Sequence, residues 1–296
     1  MTLNNPKRGI GHLAALVAVC IWGFAFINIA VLLRNFTPVE ILFYRFSMAT
    51  LVLYAIYPRK MKRNTLRQEL MFAGTGLIGV TAHFLLQDFA IIHTAPSNVS
   101  VIVSTSPVLT GFLLWQFVTK ERPSGFFFLG ALCAIVGIGV ISFAGSQLEF
   151  HPLGDLLAFL AGLAWAVYSV MLKKIGSFGQ HPIQITRRLF AYGLLFLIPF
   201  MFITDFEFGL RRFAEPVNLL PMLYLGILSS AVCFALWNFS LNRLGPVRTV
   251  VYLYLLPIVT VVGSVLVLDQ VITPLKACGI GLVLLGLVLS NRRKRA

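Results

Sequence analysis

Residues 11–23 read GHLAALVAVCIWG, and residues 154–166 read GDLLAFLAGLAWA, so that glycine, leucine and tryptophan recur 143 positions later. Arg45 recurs as Arg188 at the same offset. Farther along, two prolines and two glycines recur at offsets of 150 and 149 positions, which pairs Pro96, Pro107, Gly130 and Gly137 with Pro246, Pro257, Gly279 and Gly286. The small drift in offset indicates a few inserted residues. Such a repeat predicts two structurally related halves, residues 1–146 and 147–296.

The composition of the chain excludes an ordinary water-soluble protein. Hydrophobic residues make up 58% of the 296 residues, charged residues make up 11%, and the mean hydropathy is +0.88. One soluble core of this length does not hide so much apolar surface, so the chain belongs in a lipid bilayer. Apolar stretches of about 20 residues, enough to cross roughly 30 Å of hydrocarbon, follow one another with short breaks. We expect an all-α membrane protein with ten transmembrane helices, at residues 11–33, 38–58, 69–92, 97–118, 124–145, 153–172, 183–204, 219–241, 247–268 and 275–291.

The positions of the basic residues predict the topology. A formal net charge of +14 is by itself also compatible with a nucleic-acid partner. If the N-terminus lies in the cytoplasm, 17 of the 24 lysines and arginines fall in cytoplasmic segments. Only four, Arg34, Arg211, Arg212 and Lys276, fall on the external side of the membrane. This positive-inside bias predicts that both termini are cytoplasmic. The basic tail at residues 292–295 is then a topology anchor rather than a binding patch for RNA or anionic lipid, and no nucleic-acid partner is expected.

The motifs of common enzymes and metal sites are missing from the sequence. The four cysteines, Cys20, Cys133, Cys233 and Cys278, lie inside predicted spans without a CxxC or Cys/His pairing, so neither a disulfide nor a metal is expected. No P-loop, GxSxG or HExxH motif occurs, and Asp88 has no second carboxylate within a span as a catalytic partner. We therefore expect no cofactor and no enzyme activity. A passive channel is the stronger alternative, although the sequence has no selectivity motif.

Five spans per repeat is an odd number, so the second half must enter the membrane from the opposite side. Inverted repeats of this kind are typical of secondary transporters, whose substrate site lies between the two halves near the middle of the membrane. Rocking of one half then exposes the site to each side in turn, which is alternating access. We expect the partners to be a small-molecule substrate and the lipid bilayer, with the protein either a monomer or a homodimer.

Several motifs carry a family resemblance. The IWG of residues 21–23, the spacing from Pro38 to Arg45, the SPV of residues 106–108, and Glu121 followed by Gly130 and Gly137 resemble an EamA-type domain. Two such domains in tandem resemble a ten-helix carrier of the drug/metabolite transporter superfamily. The resemblance implies an inner-membrane exporter or exchanger of small metabolites, with a cavity lined mainly by helices 1, 3, 4, 6, 8 and 9. The second half departs from the pattern at Ala166, where glycine is expected, and at Gln270, where Glu121 would recur.

Polar and aromatic residues inside the predicted spans are the candidates for the substrate site. A charge at the centre of a span costs about 2.5–3.5 kcal/mol on insertion scales, so each such group needs a cavity or a partner. Aromatic faces that carry a few polar groups suit an amphipathic organic solute. Packing between helices is the alternative for the tryptophans, and His83 is a satisfied core histidine, a cavity group or a proton carrier. The candidates are Trp22, Phe26, His83, Gln87, Asp88, Trp165, Tyr168, Trp237, Asn238 and Tyr252.

Asp88 is the only acidic residue that lies well inside a predicted span. By topology Arg45 lies at a similar depth, so the two are candidates for a buried ion pair. The alternative is that Asp88 binds a proton or a substrate amine. In the second half the equivalent residues are Arg188 and Asn238, which leaves Arg188 free to approach the inner interface or a substrate carboxylate.

Proline and glycine distinguish two further pairs of helices. Pro107 and Pro257 fall about ten residues into their spans, where each removes one backbone hydrogen bond, so we expect helices 4 and 9 to act as hinges rather than as static bends. In helices 5 and 10 the repeated glycines lie seven positions apart on one face and allow another helix to approach closely. This contact lies either within the fold or between protomers.

Overall fold

The structure, a computed structural model, describes residues 6–119, 124–143, 151–244, 249 and 251–290. The regular elements in these ranges are all helices, which confirms the predicted all-α class. Glu121, Pro246 and the basic residues 292–295 lie outside the described ranges. The helices are α1 (Pro6–Leu32), α2 (Pro38–Ile56), α3 (Leu66–Gly76, Leu77–Ala82 and His83–His93), α4 (Pro96–Val103, Ser106–Leu114 and Trp115–Thr119), α5 (Gly125–Phe143), α6 (Pro152–Ile175), α7 (Pro182–Ile203), α8 (Pro216–Leu223, Tyr224–Val232 and Cys233–Leu244), α9 (Leu256–Leu268) and α10 (Pro274–Ser290).

Within the described ranges, seven helical segments are long and apolar enough to cross a membrane, and they correspond to α1–α4 and α6–α8. The three other predicted spans appear as shorter apolar helices, Gly125–Val140, Tyr252–Leu268 and Pro274–Gly286. Proline at the first turn begins α2, α4, α6 and α7, where its missing N–H leaves no hydrogen bond unmade. The count of ten membrane crossings stays a prediction.

Helices α3 and α8 each contain a π-helical segment, at Leu77–Ala82 and at Tyr224–Val232. The two segments occupy equivalent positions in the repeat, since residue 77 corresponds to residue 227 at the offset of 150. A π-helical segment leaves some carbonyl groups without their usual partner, and such segments frequently lie at functional sites. In both segments, carbonyl groups are therefore available to bind side chains or ligands.

Helices α5 and α10 pack against each other through the repeated glycines. A Cβ atom placed on Gly137 would lie 2.7 Å from the backbone nitrogen of Val283 and 2.8 Å from the carbonyl oxygen of Gly279. A Cβ atom on Gly286 would lie 2.6 Å from the backbone nitrogen of Ala134. The predicted close helix contact is thus present, and it lies within the chain.

One side of the helix bundle is closed by the loop between α7 and α8, residues 204–215, which we call the latch loop. At the start of α2 a capping box joins Thr37 and Glu40, with the backbone N–H of Thr37 donating to Glu40 Oε2 at 2.7 Å. Glu40 Oε1 accepts from the backbone N–H of Glu207 at 2.9 Å and from Arg212 Nη2 at 2.7 Å. One carboxylate therefore caps its own helix and holds the loop of the other half.

The latch loop contacts the end of α1 and the start of α2 through a cluster of aromatic rings, which we call the aromatic seal. Phe36 stacks on Phe213 at a ring distance of 5.2 Å, and Tyr44 packs edge-on against Phe213 at 5.0 Å. The Arg212 guanidinium lies over the Phe36 ring at 4.3 Å. Ring contacts of this kind exclude water as well as adding packing energy. The aromatic seal comprises Phe36, Phe43, Tyr44, Phe206, Phe208 and Phe213.

The opposite side, which we call the basic side, carries the loop of residues 57–65 between α2 and α3. A second capping box begins α7, where the backbone N–H of His181 donates to Gln184 Oε1 at 3.2 Å. Gln184 Nε2 donates to the carbonyl oxygens of Arg59 and Lys60 at 3.1 and 2.9 Å. Glu40 and Gln184 are each the third residue of their helix, and each holds a loop of the other half.

Candidate functional site

A central cavity lies where α1, α2, α3, α4, α6, α8 and the approach to α9 meet. Its volume is about 50 Å³. Five of the ten predicted cavity residues line it, namely Trp22, Phe26, His83, Gln87 and Trp165. The remaining wall is provided by Ala25, Ile29, Arg45, Phe84, Val103, Ser104, Ser106, Ser229, Leu253 and Leu256. The wall is mainly apolar and aromatic, with one cationic group, which is the chemistry of a site for an amphipathic organic molecule.

A second and larger cavity, the vestibule, lies on the basic side and has a volume of about 300 Å³. Three more predicted residues line it, Tyr168, Trp237 and Asn238. Lys173 and Gly176, which end α6, and Pro182, which begins α7, place its mouth at the basic side. The structure therefore has two compartments where the sequence predicts a single cavity.

Three tryptophans separate the central cavity from the vestibule. The Trp22 ring lies 5.8 Å from the Trp165 ring in an edge-on arrangement and 5.1 Å from the Trp237 ring. Trp22 Nε1 donates to the carbonyl oxygen of Ser229 at 2.9 Å, within the π-helical segment of α8. Because Trp165 lines one compartment and Trp237 lines the other, we call these three rings the tryptophan partition.

Arg45 places a buried positive charge in the wall of the central cavity. Its Nε donates to Ser230 Oγ at 3.1 Å, and its Nη2 donates to Ser229 Oγ at 3.4 Å. The guanidinium also lies over the Phe84 ring at 4.6 Å. Nη1 is buried without a hydrogen-bond partner. The two N–H groups of Nη1 are therefore unused beside the cavity, and an unsatisfied buried donor is costly unless something binds it.

Asp88 does not make the predicted direct ion pair with Arg45. Its Oδ1 accepts a long hydrogen bond from Gln87 Nε2 at 3.4 Å, and its Oδ2 has no partner. The physical reason is that the guanidinium of Arg45 reaches across to the two serine hydroxyls of α8 instead. Asp88 itself is fully buried and lines neither the central cavity nor the vestibule.

Arg188, predicted to be free for the inner interface or a substrate, binds a carboxylate on the basic side. Its Nη2 lies 2.9 Å from Glu69 Oε1, and its Nε donates to Glu69 Oε2 at 3.2 Å. The positions that correspond in the repeat, Arg45 and Arg188, thus have different partners in the two halves. The charge of Arg188 is therefore used outside the central cavity.

His83 is both a hydrogen-bonded core histidine and a cavity residue. Its Nδ1 lies 2.9 Å from the carbonyl oxygen of Ala161. A carbonyl oxygen only accepts, so Nδ1 carries the proton in this contact. The ring packs against Trp165 at 4.8 Å and lines the central cavity. Its position fixes the Trp165 ring in the tryptophan partition.

The two predicted hinge prolines follow breaks in regular α-helix. In α4 the helix ends at Val103 and restarts at Ser106, one residue before Pro107. In the second half, Val251–Leu255 is a 3₁₀ helix, and α9 begins one residue before Pro257. Pro107 leaves the carbonyl oxygen of Val103 without its usual backbone donor, and the hydroxyl of Ser106 donates to it instead. The hydroxyl of Ser104 donates to the carbonyl oxygen of Ser100, which also accepts from the backbone N–H of Ser104. Irregular backbone thus lines the cavity from both halves.

The comparison with known proteins identifies the family. The profile of the EamA-like transporter family matches residues 9–143 and 152–292, once in each half. The chain belongs to the EamA-like transporter family. It is 30% identical to an uncharacterized transporter of Archaeoglobus fulgidus, over 88% of this chain and 89% of that protein. Family membership and the apolar helices together indicate a multi-pass membrane transporter rather than an enzyme.

Other EamA relatives have more specific names. A probable amino-acid metabolite efflux pump of Escherichia coli is 26% identical over 96% of this chain and 95% of its own. A probable terminal-alkyne amino-acid exporter of Streptantibioticus cattleyicolor is also 26% identical, over 95% of this chain and 93% of its own. A crystal structure with 16% identity superposes with a TM-score of 0.69, covering 94% of this chain and 95% of that one, and so supports the fold.

One predicted cavity residue of this EamA chain lies elsewhere. The hydroxyl of Tyr252 is 2.8 Å from His12 Nδ1, and Tyr252 lines neither the central cavity nor the vestibule. The next residue, Leu253, lines the central cavity instead. The 3₁₀ geometry of residues 251–255 turns the chain by about 120° per residue rather than 100°, so α-helical periodicity assigns the wrong face here.

The sequence-based reasoning missed Ser229 and Ser230, although these two serines fix Arg45 and the partition. Two adjacent hydroxyls in the middle of an apolar span were the available signal, because such groups usually bind another helix. Arg45 itself was considered only as a structural charge and not as part of the cavity wall. Among the described residues, no group of three or more His, Cys, Asp or Glu is arranged to hold a metal ion.

Proposed function

We propose that this chain is a secondary transporter that exports or exchanges small organic metabolites by alternating access between its two halves. The observation that carries the proposal is the tryptophan partition between the vestibule and the central cavity. On the other side the cavity faces the aromatic seal and the latch loop. A path that is wide on one side and closed on the other is the arrangement that alternating access requires.

The basic side faces the cytoplasm in this proposal. Exposed cations collect there, on the 57–65 loop and at Lys173 and Lys174 near the end of α6, and cytoplasmic loops are the ones enriched in lysine and arginine. The vestibule is then the cytoplasmic entrance, and the latch loop closes the external side. Both termini lie in the cytoplasm, and the protein resides in the cell (inner) membrane.

The substrate class that fits the central cavity is a small molecule with a carboxylate and an apolar part. Arg45 offers the two unused N–H groups of Nη1 to a carboxylate, and the tryptophan rings offer apolar faces. A cationic solute would be repelled by the same guanidinium. Two relatives carry names that refer to amino acids, which agrees with this chemistry. We therefore place amino acids and their derivatives first among the candidate substrates.

Transport requires the central cavity to widen. Its volume of about 50 Å³ is far below the roughly 300–1,000 Å³ of ordinary ligand sites. The breaks before Pro107 and Pro257 lie in the cavity wall, one in each half, and are the proposed hinges. Movement there would separate Val103 and Leu253 from the rings opposite them.

Counterflow in proteoliposomes tests this function. Vesicles loaded with unlabelled amino acids should accumulate labelled amino acid from outside if the protein exchanges substrates. Arg45→Gln should reduce accumulation at least tenfold, whereas Arg211→Gln, which removes an exposed cation of the latch loop, should leave it unchanged. Uptake that does not respond to internal substrate would identify a passive channel and overturn the proposal.

A further inference from the structure

A third cavity lies on the basic side, apart from the proposed transport path. It has a volume of about 590 Å³ and shares no lining residue with the central cavity or the vestibule. We call it the basic groove, and it runs between the 57–65 loop, the start of α3 and the first turns of α7. Nothing in the proposed transport cycle uses it.

The charge of the basic groove is strongly positive. Lys60, Lys62, Arg63, Arg187 and Arg188 line it, and Glu69 is the one acidic residue among its described lining. The Glu69 carboxylate is already bound by Arg188, by Tyr192 and by Asn64, at distances of 2.9, 2.6 and 2.8 Å.

Three of the four cations of the loop line the groove, and these three have no such partner. Lys60, Lys62 and Arg63 are exposed, and within the described residues their side chains make no hydrogen bond or ion pair. Their combined charge is therefore available to an anion that enters the groove.

The basic groove is a built structure rather than a loose loop of basic residues. Arg187 is almost fully buried, and it donates from Nη1 to the carbonyl oxygen of Tyr57 at 2.7 Å and from Nη2 to that of Arg59 at 2.9 Å. The Arg187 guanidinium also lies over the Tyr54 ring at 3.7 Å. With the contacts of Gln184, these bonds hold the loop backbone in one place. Like charges held together in this way repel one another and favour an anionic ligand.

The surroundings of the basic groove are apolar and exposed. Leu51 and Tyr54 on α2, Leu70 on α3 and Leu195 on α7 are 69%, 49%, 64% and 54% exposed. Each lies within four positions of a residue that lines the groove. In a membrane protein such side chains face the acyl chains of lipid, so the groove opens where the headgroup layer meets the hydrocarbon.

We propose that the basic groove binds the phosphate-bearing headgroup of an anionic glycerophospholipid such as phosphatidylglycerol. Lys60, Lys62 and Arg63 bind the phosphate, and the acyl chains lie along the exposed residues of α2, α3 and α7. The bound lipid fastens the 57–65 loop to α7 and so stabilises the contact between the two halves on the basic side. The identity of the transported solute has no part in this inference.

The test uses the purified full chain in a non-ionic detergent, titrated with dioctanoyl phosphatidylglycerol or dioctanoyl phosphatidylcholine. Phosphatidylglycerol should raise the unfolding midpoint by several degrees with saturation, and phosphatidylcholine should not. Lys60→Gln/Arg63→Gln should lose most of this shift. Lys174→Gln/Arg243→Gln removes the same charge from the same side outside the groove and should keep it.

Three results would overturn the inference. Equal loss of the shift in both double variants would indicate diffuse attraction to surface charge. A full shift with glycerol phosphate at the same concentration would indicate a soluble phosphate ligand instead of a lipid. An absent shift in the unaltered chain would mean that no such site exists. If the double variant does not fold, Lys60→Gln and Arg63→Gln are measured singly, and each should lose about half of the shift.

Discussion

The carboxylate of Glu40 lies 2.7 Å from the guanidinium of Arg212, and the Glu40 side chain is 1% exposed while that of Arg212 is 26% exposed. Arg212 also donates to the carbonyl oxygens of Asn35 and Glu207 at 2.8 and 2.9 Å. This one side chain therefore connects the end of α1, the start of α2 and the latch loop. Opening of the latch side must break these contacts or carry all three segments together.

Arg212→Ala should weaken closure of the latch side. It leaves Glu40 buried without its charged partner, at a cost of about 1–3 kcal/mol in the free energy of unfolding. In a cysteine-free background, Ile29→Cys in the central cavity should then react several-fold faster with a membrane-impermeant maleimide added from the latch side. Arg211→Ala, which alters the neighbouring exposed arginine, serves as the control. Equal labelling in both variants would show that Arg212 does not close the path.

Ser230→Ala should destabilise the protein by about 1–3 kcal/mol, because Arg45 Nε would be left buried without its acceptor. The matched control is Ser264→Ala. Ser264 is equally buried, but its Oγ has no hydrogen-bond partner, so its removal should be neutral or slightly stabilising. Thermal unfolding in detergent compares the two variants. Similar midpoints would mean that Ser230 does not support Arg45.

Gly137→Ala and Gly139→Ala should differ in their effect on the unfolding midpoint. The new Cβ atom at Gly137 meets backbone atoms of α10 at 2.7–2.8 Å, so the two helices must separate, whereas nothing lies within 4 Å of a Cβ atom at Gly139. Replacing glycine by alanine inside an exposed helix typically stabilises it by about 1 kcal/mol. We expect a lower unfolding midpoint for Gly137→Ala and an equal or higher one for Gly139→Ala. The reverse order would contradict the close α5–α10 contact.

Trp22→Phe should impair transport more than folding. Phenylalanine retains a ring in the tryptophan partition but removes the hydrogen bond to the Ser229 carbonyl, worth about 0.5–1.5 kcal/mol. We expect a weaker apparent affinity in counterflow, by roughly three- to tenfold, with little change in the amount of folded protein. An unchanged affinity would show that the position of this ring does not shape the site. The control is Trp115→Phe, because Trp115 lies near the end of α4 and lines neither the central cavity nor the vestibule.

The repeat, the helical class and one third of the residues that line the central cavity could be predicted from the sequence because they depend on local patterns. Trp22 and Trp165 stand at matching positions of two apolar spans, and their rings lie in contact in the structure. His83 and Gln87 lie four residues apart and therefore share one helix face. Helical periodicity and the internal repeat are sufficient to place these four residues in the cavity wall.

The rest depended on tertiary contacts that leave little trace in the sequence. Nothing local marks the π-helical segment at Tyr224–Val232, yet it supplies the carbonyl for Trp22 and the hydroxyls for Arg45. Similar depth in the membrane suggests Asp88 as the partner of Arg45. Depth does not specify the direction in which a side chain points, however, and the side chain of Arg45 points to α8. Arg212 lies in a loop, where hydrophobic periodicity carries no information.

The reciprocal capping contacts of Glu40 and Gln184 make the two halves dependent on each other for folding. Residues 1–146 expressed alone would have a carboxylate at the start of α2 with no latch loop to bind, and a basic loop with no glutamine to order it. Residues 147–296 expressed alone would have a latch loop without Glu40 and would have Gln184 without the 57–65 loop. The chain therefore resembles a heterodimer joined by a linker, and co-expressed halves have these contacts with which to reassemble.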